Sequence, residues 1–451
     1  MNGTDPVFGI EHAFLQRSAD GSGRSRKNVV SPLTFPISAP EAADAGRFGP
    51  KAANLARLGH AGLPIPAGFC VDAQAYRMQL AAADLERHAR RVSSPEPGEA
   101  RRAALAIKLG LLDAPLDGDV RAALVNAWRA LSAETRAPTV VRSSALVEDR
   151  FGSSFAGQFE SYLGLEGEDE FLTAVRSCWA ALWATRVLRY MATHDASPAD
   201  TAMAVLVQPL IMARAAGGGL SRSSEGMVLT ATNGPGAAIA QGEVVPDRFL
   251  LSHDGALCRS TKGRVSHRVG CAHGVGPVQR APAAQPTLDA AQAIELGALL
   301  RRVEEVMAMP VEIEWALDDS GFKLLQARPL HLQPAPVADE IWLRHPGLNG
   351  QPAGAGWSSG RACVVNCECE LSRVGPGDIL VTKVAGPALS QVLPRIAGVV
   401  AELGGSTSHL ASLARERGIP AVFGVLEATQ RIPDGVQVAV DGVAGVVRWM
   451  R

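Results

Sequence analysis

The sequence predicts an α/β (α+β) protein of more than one domain, and three observations carry that expectation. Short β-branched apolar runs at 139–142, 204–210, 311–317 and 396–400 read as buried strands, set between Ala/Leu-rich stretches with helical spacing. A length of 451 residues allows two or three sizeable cores. A Pro-containing segment at 331–340 reads as a short, semi-rigid linker between 36–330 and 341–451. Charge is balanced, with 44 Lys and Arg against 45 Asp and Glu, so no basic surface argues for nucleic acid or an anionic membrane. No apolar run approaches a membrane span, and Asp5, Glu11 and His12 interrupt any signal-peptide layout. Seven scattered cysteines suit a reducing compartment. The expectation is a cytoplasmic protein.

Taken in order, residues 1–35 mix Gly, Ser, Arg and Lys and are expected to form a poorly ordered leader. Gly49-Pro50-Lys51 then opens a helix behind a tight turn, which offers Lys51 as a phosphate contact. Residues 80–136 read as helices with a break at 95–98. The strand 139–142 ends in Arg142, Ser143 and Ser144, followed by Glu148, Asp149 and Ser153-Ser154-Phe155-Ala156-Gly157-Gln158. An arginine fork, small hydroxyls and Gly-flanked amides suit a triphosphate, although a plain strand-to-loop junction has the same appearance. Residues 178–186 read as an amphipathic helix whose tryptophans belong to the core.

Further along, Ala204 to Leu210 reads as a buried strand. His267, Cys271 and His273 make a weak zinc pattern, since no paired Cys-x-x-Cys accompanies them, and Cys363, Cys367 and Cys369 are similarly weak. Residues 311–317 and 322–329 read as a hairpin. Period two puts Glu312 with Glu314, and Gln326 with Arg328, on one face of each strand. The two faces coincide only with an odd-membered turn, which a Gly321 bulge would supply. They would then offer Mg²⁺ a set of hard oxygens beside an arginine, or make a polar sheet face. Finally Gly404-Gly405 breaks the strand 396–400, and Thr407 or Ser408 caps a helix with apolar positions 410, 413 and 414 and a left-handed stop at Gly418. His409 falls in its first turn, where the positive dipole end favours a neutral, nucleophilic imidazole. On spacing alone a capped surface histidine is the plainer reading.

Gly404 to His409, Ala414-Arg415-Glu416 and Gly418-Ile419-Pro420-Ala421-Val422 resemble the phosphohistidine (swivelling) domain of the phosphoenolpyruvate synthase, pyruvate phosphate dikinase and rifampin phosphotransferase family. The Lys51 and Arg142 segments, Asn233 to Gly236, Gln241 to Phe249 and the hairpin resemble the ATP-binding domain of the same family. The resemblance implies an ATP-grasp domain with a lid joined to a small β/β/α phosphohistidine domain. It makes His409 the phosphoryl carrier and Lys51, Arg142 and Arg328 phosphate contacts. It places Ser154, Gly157 and Gln158 in a loop that closes over ATP. Gln208 and Leu210 stand at the adenine hinge, Glu243 lies in a nucleotide-site motif, and Glu314, Gln326 and Glu312 take the Mg²⁺ places. Departures are Pro50 and Ala52 for two glycines, Glu312 for an aspartate, Ala237 for a glutamate, and Ser221-Arg222-Ser223-Ser224 for Phe-Thr-Ala-Asn-Pro. With no pyruvate-binding barrel evident, three readings stay open: an enzyme subunit with its acceptor site on a partner chain, a small-molecule kinase binding its acceptor between the domains, and a nucleotide-binding regulator.

Overall fold

The computed structural model describes residues 32–451 apart from 93–95, 149–154, 156–158, 160, 193–196, 265, 268–277, 280–285, 332–341, 343 and 451. Residues 33–451 form one compact unit built on three principal sheets. The first is antiparallel, in the order Thr34–Pro36, Phe69–Val71, Met203–Pro209, Thr139–Ala145, Ser161–Leu165. The expected leader is therefore too long at its end, because Thr34 to Pro36 pair with Val71 to Phe69. The central strand Met203–Pro209 is almost wholly buried, as a continuous apolar run demands.

Helices cover this first sheet. They are Ala73–Ala82, which only ends inside the predicted 80–136 region, then Glu86–Arg91, Pro97–Asp113 and Gly118–Thr135 within it. The proline at the start of the third lies where a missing amide costs no hydrogen bond. The amphipathic helix expected at 178–186 is instead the junction of two, Glu168–Ala181 and Thr185–Ala192. Its tryptophans are core as expected: Trp179 is fully buried, and buried Trp183 donates to the Tyr76 hydroxyl at 3.0 Å.

The second sheet is also antiparallel, in the order Gly321–Pro329, Val311–Asp318, Ala215–Leu220, Met227–Asn233, Asp247–Leu251, Leu257–Thr261. Helix Ala290–Met307 packs its buried Leu296, Leu300 and Val303 against it. The hairpin differs from expectation in one respect. Its turn is a two-residue one, with Asp318 opposite Gly321, and the extra residue sits mid-strand, since Glu314 faces Gln326 but Trp315 faces Leu324. Leu325 is thus bulged, and the bulge is what puts Glu314 and Gln326 opposite each other.

The third sheet, order 347–349, 446–449, 437–441, 357–365, 379–382, 398–401, 421–423, 351–354, has a parallel heart of fully buried strands at Ile379–Thr382, Gly398–Ala401 and Ala421–Phe423. Helix His409–Glu416 connects the last two. It ends as predicted: Gly418 has φ +64°, its amide donates to Arg415 O at 3.2 Å and the Ile419 amide to Ala414 O at 2.8 Å, the paired bonds of a glycine C-cap. One buried apolar cluster runs from Phe171, Trp179 and Tyr190 beside the first sheet into Leu410, Leu413 and Phe423 beside the third. Most of the expected linker, 332–340, lies outside the described residues.

Candidate active site

Lys51 follows a kink in helix Ala45–His60, where Gly49 takes φ +74°. Only glycine fits, because a Cβ there would lie 2.4 Å from the Ser144 carbonyl oxygen. The close approach aims Lys51 along the strand Thr139–Ala145. Its Nζ donates to Ser143 O at 2.7 Å and pairs with the buried Glu148 at 3.3 Å.

Arg142, from the same strand, crosses to the second sheet. Its Nη1 donates to Leu325 O at 2.6 Å, the carbonyl of the bulged residue, and its Nη2 to Glu314 Oε2 at 3.0 Å and Gln326 Oε1 at 3.1 Å. Gly321–Pro329 is an edge strand, and its outward groups are covered rather than left open: Arg142 takes Leu325 O, Asn54 takes Ala327 O at 3.3 Å, and the Leu324 amide donates to Pro64 O. Burial pushes the Glu314 carboxyl up, but the charges of Arg142, His409, Arg328 and Lys51 together outweigh it and hold the pKa below the ordinary carboxylate value.

Glu312 lies deeper than Glu314. It is buried opposite Arg328, with Oε1 3.2 Å from Arg328 Nη2 and Oε2 2.9 Å from Arg415 Nη2. Burial raises its pKa, and the two guanidinium groups more than reverse that. Both oxygens thus face arginine donors. Arg415 in turn donates to Ser406 O at 2.6 Å and Ala353 O at 3.0 Å, so it braces the loop in front of His409 against the second sheet.

His409 is the first residue of its helix, and Ser408, not Thr407, is the cap, accepting from the Ala411 amide at 3.3 Å. Thr407 is left to meet the second sheet, where its hydroxyl lies 2.6 Å from that of Thr230. The sheet makes room with Gly217-Gly218-Gly219: a Cβ on Gly218 would come within 2.6 Å of Thr407 Cβ. The Gly404 amide donates to Val244 O at 3.1 Å, and Arg264 Nη2 to Gly424 O at 2.7 Å. These contacts set the imidazole within the electrostatic reach of Glu314, Arg328, Glu312 and Lys51. Burial depresses its pKa. Glu314 and Glu312 oppose the change, and Arg328 and Lys51 reinforce it, so the net direction is below 6.5. The ring is therefore neutral at pH 7, as a nucleophile requires.

Other expected residues fall elsewhere. The Leu210 amide donates to Pro138 O at 2.8 Å and the Gln208 side chain to Pro66 O at 3.1 Å. Glu243 is exposed in the turn after the short helix Ala237–Ala240, and nothing described ties it to the cluster around His409. Ser154, Gly157 and Gln158 lie outside the described residues, as do Cys271 and His273. Among the described residues no trio of His, Cys, Asp or Glu is placed to hold a metal, and six cysteines are free thiols. Sequence reasoning missed Thr230 and left Glu148 and Arg415 without a contact role. Both of these carried a signal, Glu148 in the segment after Arg142 and Arg415 as the middle of an Ala-Arg-Glu motif.

Residues 45–342 match the family model "Pyruvate phosphate dikinase, AMP/ATP-binding domain". This chain belongs to that family. Residues 374–445 match the "PEP-utilising enzyme, mobile domain". Among curated relatives, phosphoenolpyruvate synthase of Aeropyrum pernix is 32% identical over 457 residues, covering 88% of this chain and 56% of that protein. The enzyme of the same name from Pyrococcus furiosus is 29% identical, covering 90% and 57%, and that of Escherichia coli 29%, covering 93% and 57%. The chain thus spans a little over half the length of these relatives. Among the described residues, no helix is long and apolar enough to cross a membrane.

Proposed function

We propose that this chain performs the ATP half-reaction of a dikinase. The neutral imidazole of His409 attacks the β-phosphorus of ATP, the bond from that phosphorus to the α-bridging oxygen breaks, and AMP leaves with the electron pair. Water then removes the terminal phosphoryl as inorganic phosphate, and a phosphohistidine remains. The observation that carries this reading is the seating of His409, at a helix N-terminus, among Lys51, Arg328 and the Arg142–Glu314–Gln326 cluster. The cations neutralise charge spread over the phosphoryl oxygens, and docking holds the nucleophile in line, so positioning and electrostatics supply the catalysis.

Glu314 and Gln326 fit a divalent cation, since both side-chain oxygens converge on one Arg142 nitrogen at 3.0 and 3.1 Å. Magnesium bound there, with phosphate oxygens and water completing its shell, would neutralise the polyphosphate. Arg142 would then turn its fork from the carboxylate to phosphate. We assign 36–330 to the nucleotide-binding domain and 341–451 to the phosphohistidine domain. The acceptor is a small molecule bound by a partner subunit or between the two domains, and the free thiols suit a cytoplasmic setting.

The test is single turnover with Mg²⁺ and ATP labelled at the β-phosphate, beside His409→Ala. AMP and acid-labile protein label, both lost in the variant, support the reading. ADP without protein label replaces it with direct γ-transfer. Bound but unchanged ATP supports a regulator, which the small Ala237 and the Ser221 to Ser224 turn favour. Ser221 there is committed to accepting from the Val311 amide at 2.9 Å.

A further inference from the structure

Tyr190, on helix Thr185–Ala192, has no part in the chemistry above, yet two distant segments meet at its side chain. Its hydroxyl donates to the Glu416 carboxylate and accepts from the Phe155 amide at 3.4 Å. The Arg417 guanidinium lies 5.7 Å from its ring centre, and the Phe155 ring 4.6 Å away, tilted by 60°. Tyr190 is buried, and that burial, reinforced by the Glu416 charge, raises its pKa, so the phenol keeps its proton and remains the donor.

Glu416 ends the helix that His409 begins, about 10 Å away at 1.5 Å per residue. One residue earlier, Arg415 is fixed to Glu312. Two neighbouring side chains thus fasten the far end of this helix to different bodies, Arg415 to the second sheet and Glu416 to the helical layer of the first. With both held, the helix axis is fixed, and so is the direction in which His409 faces. Phe155 holds φ +49°, a conformation a bulky residue adopts only when its contacts impose it, and those contacts are the Phe159 and Tyr190 rings.

We propose that Tyr190 is a positioning residue: through Glu416 it sets the docked orientation of the His409 helix, and through the Phe155 amide it makes that orientation depend on the backbone at 155. Phe155 lies within the stretch that resemblance assigns to the nucleotide loop. The proposal rests on His409 as phosphoryl carrier.

Tyr190→Phe keeps the ring and removes only the hydroxyl, and Glu416→Gln keeps the shape and removes the charge. Each is expected to slow labelling of His409 about tenfold, the worth of one charge-assisted hydrogen bond. Nucleotide affinity by calorimetry should stay within about twofold. The double variant should be no slower than the slower single, because both remove one contact. Independently of chemistry, amides of the His409–Glu416 helix should exchange hydrogen faster in Tyr190→Phe than in wild type. Additive rate losses, a matching loss of nucleotide affinity, or unchanged exchange would overturn the proposal. If the wild type forms no phosphohistidine, the functional reading fails by itself, and hydrogen exchange still decides whether Tyr190 holds the helix.

Discussion

Gly218→Ala places one methyl group between the strand Ala215–Leu220 and the loop that carries His409. The added carbon would stand 2.6 Å from Thr407 Cβ and 2.9 Å from both Thr407 Cγ2 and Oγ1, whereas ordinary contact begins at 3.4 Å. Thr407 Cβ is anchored to its backbone, so rotating the side chain gives no relief. The loop must retreat by about 0.8 Å, and the Thr230–Thr407 hydrogen bond stretches with it. A nucleophile displaced by about 1 Å loses about a hundredfold in rate, which is about 2.7 kcal/mol of transition-state stabilisation. The strand itself gains slightly, because alanine is less costly than glycine in an extended segment. The assay is single-turnover labelling of His409 from β-labelled ATP, with nucleotide affinity measured separately. A hundredfold slower labelling with affinity unchanged is expected. Labelling at the wild-type rate would show that chemistry does not use this docked arrangement. Parallel loss of affinity and rate would show that Gly218 serves the nucleotide instead.

Four other outcomes follow from the site. The rate of His409 labelling should hold steady as pH falls to 6.5 and decline only below it, because the folded-state pKa lies under that value; an acid limb centred at or above 6.5 contradicts the assignment. The same depression bears on stability. The unfolded chain takes up a proton on His409 as pH falls below 6.5 and the folded chain does not, so this group lowers stability between 6.5 and its folded pKa, as urea midpoints measured across that window would register. Glu312→Gln leaves Arg328 and Arg415 buried without their counter-ion and should cost about 3 kcal/mol in urea denaturation with the Mg²⁺ requirement unaltered; a raised Mg²⁺ requirement at unchanged stability would make Glu312 a ligand. Arg142→Lys keeps the charge but not the fork that spans Leu325 O, Glu314 and Gln326, and labelling should fall about a hundredfold; a loss under threefold would mean that charge alone suffices.

The local chemistry was readable wherever one short segment carried all of it. Ser408, His409 and Gly418 announce a cap, a first turn and a stop within eleven residues, and the helix forms between them. The hairpin and its polar face were likewise legible from period two. The bulge was placed in the wrong part of it, because Gly321 is the visible irregularity whereas Leu324-Leu325 looks like any apolar pair. The ion pairs of Glu312 were not legible for a different reason: the guanidinium that meets its second oxygen is 103 residues away. The partner of the Leu210 amide was hidden because the carbonyl that takes it, Pro138, belongs to a neighbouring chain segment with no motif of its own. Tyr190 and Glu416, 226 residues apart, gave no joint signal at all. Propensity and motif describe what a segment offers, and the fold decides which offer is taken up.

The Leu325 bulge also constrains how this hairpin can change length. A strand is a binary code, one face for the interior and one for the site, and the bulge inserts a single phase shift between Leu324 and Gln326. Residues can be added at the Asp319-Ser320 tip without altering that phase, since everything towards Arg328 stays in step with Glu312. Were Leu325 drawn into regular pairing opposite Glu314, the faces beyond it would exchange and Gln326 and Arg328 would turn to the apolar layer; deleting Leu325 would instead leave Gln326 opposite Glu314 and remove the carbonyl that Arg142 meets. For this hairpin, parity matters more than length.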